Sequence, residues 1–174
     1  MLEQPAGDVR VSVERWSALF ELESPRLWRA LVAYTAGRAD IADDAVAEAF
    51  ARGLAAREQI HDPVAWLYRV AFRHAAGVLR GERGTVVGAG GLDPSASADA
   101  RVDADHRADA AALFLALADL SAGQRAAVVL HHHMGVPVAD VAARLGCSPV
   151  TVRVQLHRAR RRLQAVLRTE VDDA

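Results

Sequence analysis

The sequence predicts an all-α protein made of two small helical domains joined by a flexible linker. Three observations lead there. Apolar residues recur at three- and four-residue steps through most of the chain, and no alternating strand pattern persists. Helix-start signals, a Ser or Asp followed by Pro, stand at Ser24-Pro25, Asp62-Pro63 and Ser148-Pro149. From Gly81 to Arg107 the periodicity gives way to Gly, Ser, Pro and scattered Asp, the composition of a segment with little intrinsic structure. The expected domains are therefore residues 10–80 and 108–170, with 81–107 between them.

The first domain offers four helices. One covers about Val13 to Leu22, and a second starts at Ser24-Pro25 and reaches about Ala36. Asp40 caps a third, whose apolar face carries Val46, Ala49, Phe50, Gly53 and Leu54. The fourth begins at Asp62-Pro63 and runs to Arg80, with Leu67, Val70, Ala71, His74 and Val78 as its stripe. In the second domain one helix spans about Ala108 to Leu120 and another Ala122 to Met134. A close pair follows. Val138, Val141, Ala142 and Leu145 mark its first member, and Gly146 ends it where a left-handed residue is needed. Ser148 and Pro149 start the last helix, in which Val152, Leu156, Ala159 and Leu163 face the core.

That last helix concentrates the positive charge. From Arg144 to Arg168 there are seven arginines and no acid, although the formal net charge of the chain is −1. Such a stripe attracts phosphates and releases counterions. The second helix of a tight pair enters the major groove with its N-terminal residues near base edges. Ser148, Pro149, Thr151, Val152, Arg153, Gln155 and His157 are candidates there, with Thr151, Arg153 and Gln155 as base readers. Arg158, Arg161 and Arg162 suit phosphates.

Other features read more plainly. All 21 basic residues are arginine, and the one cysteine, Cys147, excludes an internal disulfide and fits a reducing cytoplasm. No apolar run approaches a membrane span and the N-terminus lacks a signal-peptide pattern, so a soluble cytoplasmic protein is expected. His131, His132 and His133 are consecutive, so on an α-helix they diverge by about 100° per residue and cannot converge on one ion. Cys147 reads as a packing residue. Trp16, Trp28 and Trp66 read as anchors, and Asp43, Asp44 and Glu48 suit a dipole-favoured, exposed helix start. No metal and no cofactor is expected, and no nucleophile, acid or phosphate loop indicates an enzyme.

The run Leu120-Ser121-Ala122-Gly123-Gln124-Arg125, then Val128-Val129-Leu130, then Thr151-Val152-Arg153 and Leu156-His157-Arg158-Ala159-Arg160, resembles region 4 of bacterial sigma factors. Ala42-Asp43-Asp44-Ala45-Val46-Ala47-Glu48-Ala49-Phe50 resembles their region 2.2, and Trp66-Leu67-Tyr68-Arg69-Val70-Ala71 the start of their promoter-melting helix. Two such blocks in this order resemble the extracytoplasmic-function (ECF) group of the sigma-70 family. The resemblance covers about residues 15–80 and 110–168.

It implies a promoter-specificity subunit of bacterial RNA polymerase. Asp43, Asp44, Ala47, Glu48 and Phe50 would dock on the clamp helices of the largest subunit. Trp66, Arg69, Arg73 and Arg80 would contact the −10 element, where bases are unstacked at a cost of a few kcal/mol per step. The second domain would bind the β flap and set its last helix at the −35 element, and an anti-sigma protein is a further candidate partner. The chain departs from the family pattern at Ala47, where Gln is usual, and at Phe72, Arg73 and Gly77 in the melting helix. Gln155 stands where Arg is common. The alternative is a stand-alone helix-turn-helix regulator with an N-terminal protein-interaction domain, distinguished by specific duplex binding without polymerase.

Overall fold

The structure is a computed structural model that describes residues 13–56, 59–84 and 114–172. Every regular element among them is helical. α1 spans Val13–Tyr34, α2 Ala39–Ala56 and α3 Pro63–Gly84. A short helical stretch at 114–118 (α4) precedes α5 at Ala122–Val128, which widens into a π-turn over Val129–His133. α6 (Val138–Leu145) and α7 (Pro149–Asp172) follow.

Where two helices are expected to meet at Ser24-Pro25, the structure has one, and α1 runs through Pro25. A proline inside a helix removes one hydrogen bond and crowds the carbonyl four residues back, at about 3 kcal/mol. Trp16, Leu27 and Leu31 are buried on either side. At roughly 1.5–3 kcal/mol for each large side chain, that burial outweighs the loss. α1 stops at Tyr34, nine residues after the proline instead of before it, and Ala36 and Gly37 follow with left-handed φ values of 57° and 90°. The Gly37 amide donates back to the Val32 carbonyl at 2.8 Å, closing the helix end.

Arg38 then pins this turn. Its Nε and Nη2 donate to the two carboxylate oxygens of Asp40 at 2.8 and 2.6 Å, and its Nη1 to Glu82 at 3.2 Å. The guanidinium holds the Asp40 carboxyl below its usual range. Asp40 is therefore a partner of Arg38 within the first turn of α2, one residue inside the helix, and not the cap that was expected. Asp62 does cap α3, accepting from the Ala65 amide at 3.0 Å.

The buried face of α3 is Leu67, Tyr68, Ala71, Phe72 and Ala75; Val70, His74 and Val78 are only partly covered. The face turns toward the aromatic residues because Phe72 packs on Tyr34 of α1, with ring centroids 4.9 Å apart. α3 continues to Gly84, so the first four residues of the expected linker are helical. The remainder of 81–107, and the start of the helix expected at Ala108, lie outside the described residues.

The two helical blocks touch. α3 lies against α6, and α1 against the π-turn. One apolar cluster runs from Trp16 and Leu31 through Leu67 and Phe72 to Leu130, Val141, Val152 and Ala159. Arg125, only 3% exposed, joins them: its Nη1 donates to the Tyr34 carbonyl at 3.1 Å, and Nη2 to those of Ala118 and Leu120 at 3.0 and 3.3 Å.

Candidate nucleic-acid interface

The helix pair forms as its sequence dictates. Gly146 ends α6 in the left-handed region (φ 68°), and the Cys147 amide donates to the Ala142 carbonyl at 3.0 Å. The Ser148 hydroxyl then accepts from the Thr151 amide at 3.1 Å, so the cap and Pro149 start α7 together. A left-handed glycine and a capped proline three residues later leave room for one sharp turn. Two helices at a fixed angle result.

α7 buries Val152 and Ala159 completely. Val152, expected at the DNA surface, is instead a core residue that seats α7 on the rest of the domain; it lies on the apolar stripe set by Leu156, Ala159 and Leu163. Arg153, His157, Arg158, Arg160, Arg161 and Arg162 are exposed. Arg162 gives its Nε–H to the Asp119 carbonyl at 3.0 Å, so part of its guanidinium already holds the turn after α4.

The three expected base readers do not share one face. On a helix turning 100° per residue, Thr151 and Gln155 flank the buried stripe on one side and Arg153 on the other. Gln155 is half-buried, and a Cβ added at Gly123 would lie 3.3 Å from its Nε2. Val150 and Val154 are the residues that the sequence reading missed. They are 64% and 40% exposed, apolar, and four residues apart on the solvent side of a basic helix. Their misfit to the stripe was the available signal.

Thr151 and Gln155 face α3 across a cavity of about 460 Å³ that Arg69, Arg73 and Arg80 also line. The structure thus brings three of the four −10 candidates together. Trp66, the fourth, leans on α2 instead, where a Cβ on Gly53 would meet it at 3.2 Å. The contact between the blocks is specific at this place. Arg69 Nη2 donates to the Ala143 carbonyl at 2.9 Å, and the Arg144 guanidinium lies 4.4 Å from the centre of the Tyr68 ring. The Tyr68 phenol, buried and near Glu23, is pushed up to about 12.

On α2, the acidic candidates are already engaged. Asp43 accepts from the Trp28 indole at 2.7 Å, Asp44 pairs with His74 at 2.6 Å, and Glu48 pairs with Arg52. Ala47 is exposed. Phe50 is a packing residue, 9% exposed, with its ring edge-to-face on Trp16 and on Phe20. The aromatic that reaches the surface beside it is Phe20, 49% exposed.

The histidines sit in a π-turn, not an α-helix: the Met134 amide reaches back five residues to Val129. His131 Nδ1 lies 2.8 Å from the Val136 carbonyl, and the His131 and His132 rings are 4.8 Å apart. Burial, then His131 and Arg160, lower the His132 pKa. Among the described residues no three His, Cys, Asp or Glu are grouped to hold a metal. No described helix is long and apolar enough to cross a membrane.

Cys147 lines the inter-block cavity, and its burial raises the thiol pKa. A raised pKa reduces the thiolate, the reactive species. At neutral pH its alkylation by iodoacetamide is expected to be slower in the folded chain than in denaturant. A folded rate equal to or above the denatured one would mark Cys147 as an activated thiol.

Comparison with known proteins agrees with this geometry. Residues 110–163 match the family model of sigma-70 region 4. Over 78 residues the chain is 42% identical to the RNA polymerase sigma-E factor of Streptomyces antibioticus; the match covers 44% of this chain and 43% of that protein. The chain thus spans less than half the length of this relative. Two solved structures share the fold. CnrH, solved in complex with the cytosolic domain of CnrY, matches with a TM-score of 0.66 and 23% identity, over 91% of this chain and 90% of that one. The sigma factor RpoE of Bartonella quintana, solved with the anti-sigma factor NepR, matches with a TM-score of 0.65 and 23% identity, over 90% and 98%. Residues 110–163 thus carry a sigma-70 region 4 helix pair, set in a two-block helical fold that the chain shares with CnrH and RpoE.

Proposed function

We propose that this chain directs bacterial core RNA polymerase to specific promoters and initiates transcription, without itself catalysing a reaction. The observation that carries the reading is α7: a capped, arginine-rich helix held on a region 4 helix pair. In this reading Arg153 and Thr151 contact base edges, Val150 and Val154 meet thymine methyl groups, and Arg158 and Arg161 take phosphates. Exposed Asp43, Asp44 and Ala47 and half-buried Glu48 on α2, with Phe20 beside them, offer the docking face for the largest polymerase subunit. Phe50 supports that face from beneath.

The arrangement of the blocks adds a condition. Thr151 and Gln155 face Arg69, Arg73 and Arg80 across a cavity that could not admit a duplex. Both DNA faces become available only when the α3–α6 contact opens, which polymerase docking would drive. The two structural relatives solved with CnrY and with the anti-sigma factor NepR support an anti-sigma protein as a partner that acts on this same equilibrium.

Co-purification with core polymerase and run-off transcription from genomic promoter fragments test the reading. Absence of both core binding and any promoter-specific transcript would overturn it. Within it, Arg153→Ala is expected to change discrimination at one upstream base pair by about 1–3 kcal/mol. Arg161→Ala is expected to weaken all promoters alike and to lower the salt slope of binding by about one. Identical effects of the two variants on every promoter would show that the assignment of base and phosphate roles is wrong.

A further inference from the structure

We infer that the cleft between α3 and the first turns of α7 is a binding site for a free nucleoside triphosphate. Its walls hold three guanidiniums, those of Arg69, Arg73 and Arg80, and no carboxylate among the described residues. Arg69, Arg73 and Arg80 fall at i, i+4 and i+11 on α3, one face of a helix, where like charges repel. Arg73 and Arg80 are exposed and have no hydrogen bond or ion pair among the described residues. Arg69 spends one N–H on the Ala143 carbonyl, while its Nε is shielded from solvent and has no partner. The exposed guanidiniums of Arg73 and Arg80 therefore supply the open donors, and several N–H groups on one wall suit an anion with several oxygens.

The rest of the cleft is not that of a simple phosphate site. Ala76, Leu145 and Cys147 give it a partly exposed apolar wall that can cover a base, and the Gln155 carboxamide stands beside that wall to pair with a base edge. The volume, about 460 Å³, falls in the range of small-molecule sites and not of a groove for duplex. A single nucleotide is favoured over a strand because the Arg69–Ala143 bond stands at one end of the arginine row. A continuing strand would have to break it.

Binding itself depends only on this geometry. Its consequence rests on the promoter reading: an occupant bridging α3 and α7 would hold Thr151 and Gln155 away from DNA and disfavour opening.

The test is equilibrium titration of the full chain with ATP, GTP and inorganic pyrophosphate, in the absence of polymerase and DNA. One saturable site for ATP or GTP is expected. Arg73→Ala and Arg80→Ala should each weaken it about ten-fold, with thermal midpoints unchanged because both side chains are exposed. Gln155→Ala should change the ratio of ATP to GTP affinity and leave pyrophosphate binding alone. No saturable binding of either nucleotide would overturn the proposal, as would binding indifferent to the double change at Arg73 and Arg80. Binding of a single-stranded oligonucleotide alone would also overturn it and assign the cleft to a DNA strand. None of these outcomes bears on whether the chain transcribes with core polymerase, so the two readings fail separately.

Discussion

Replacing Arg125 with Met is expected to cost about 3 kcal/mol of folding stability, read as a lower urea midpoint. Most of the described arginines are exposed; Arg125 is 3% exposed and inside the molecule. Its guanidinium sits where two helices end. Tyr34 is the last residue of α1 and Ala118 of α4, and the carbonyls at helix ends take donors from outside the helix. Arg125 donates to both and to Leu120, and lies over the Tyr34 ring with 5.6 Å to its centre. Met fills the same length but donates nothing. Buried acceptors then lose their donors, which is costlier than the bonds were worth when made. Arg125→Lys keeps the charge without the planar fork and should recover only part of the loss. Because Tyr34 belongs to the first block and Arg125 to the second, Arg125→Met should also raise the radius of gyration in small-angle scattering. A change below 1 kcal/mol with an unaltered radius would mean the bridge holds nothing together.

That residue shows where sequence reading stopped. Arg125 stood within the region 4 resemblance, yet nothing in a one-dimensional pattern separates a buried arginine from a phosphate-binding one. The helices themselves were legible because caps and periodicity are local: Ser148-Pro149, Gly146 and Asp62 each act within four residues of themselves. Pro25 misled for the same reason. Its local cost is real, but burial of Trp16, Leu27 and Leu31 decides the outcome, and burial is a property of the fold. The π-turn at the histidines was likewise invisible, since it depends on how the end of α5 meets α1. On α7 the apolar stripe already held Val152, so its burial followed from the pattern that had been read. Assigning it to DNA came from motif position overriding periodicity. The cleft, and the meeting of Thr151 and Gln155 with the α3 arginines, had no signal at all: those residues are separated by more than seventy positions, and only packing brings them together.

Gly53→Val is expected to destabilise the first block by about 3 kcal/mol, the upper end of what overpacking costs. Two effects oppose each other at this site. Glycine inside a helix is worse than alanine by about 1 kcal/mol, so propensity alone predicts that Gly53→Ala stabilises α2. Against that, a Cβ at Gly53 would stand 2.5 and 2.7 Å from Cη2 and Cζ3 of Trp16, and 3.2 Å from Cζ3 of Trp66. The Trp16 ring has little freedom to yield. It is 3% exposed and lies edge-to-face with Phe50 at a centroid distance of 6.4 Å. The clash therefore exceeds the propensity gain, and Gly53→Ala should destabilise slightly while a branched side chain does so severely. Trp16→Phe removes the atoms that would be struck. Combined with Gly53→Ala it should lose at least about 1 kcal/mol less than the sum of the single changes, a coupling typical of residues in contact. If Gly53→Ala instead raises the thermal midpoint, the indole is not confined and the glycine needs another explanation. The functional weight of the contact follows from its place: α2 carries Asp43, Asp44 and Glu48 on its outer side, and Trp16 with Phe50 sets its inner side. Gly53→Val should accordingly weaken co-purification with core polymerase although Gly53 touches no partner, and Trp16→Phe added to Gly53→Ala should restore what Gly53→Ala alone removes.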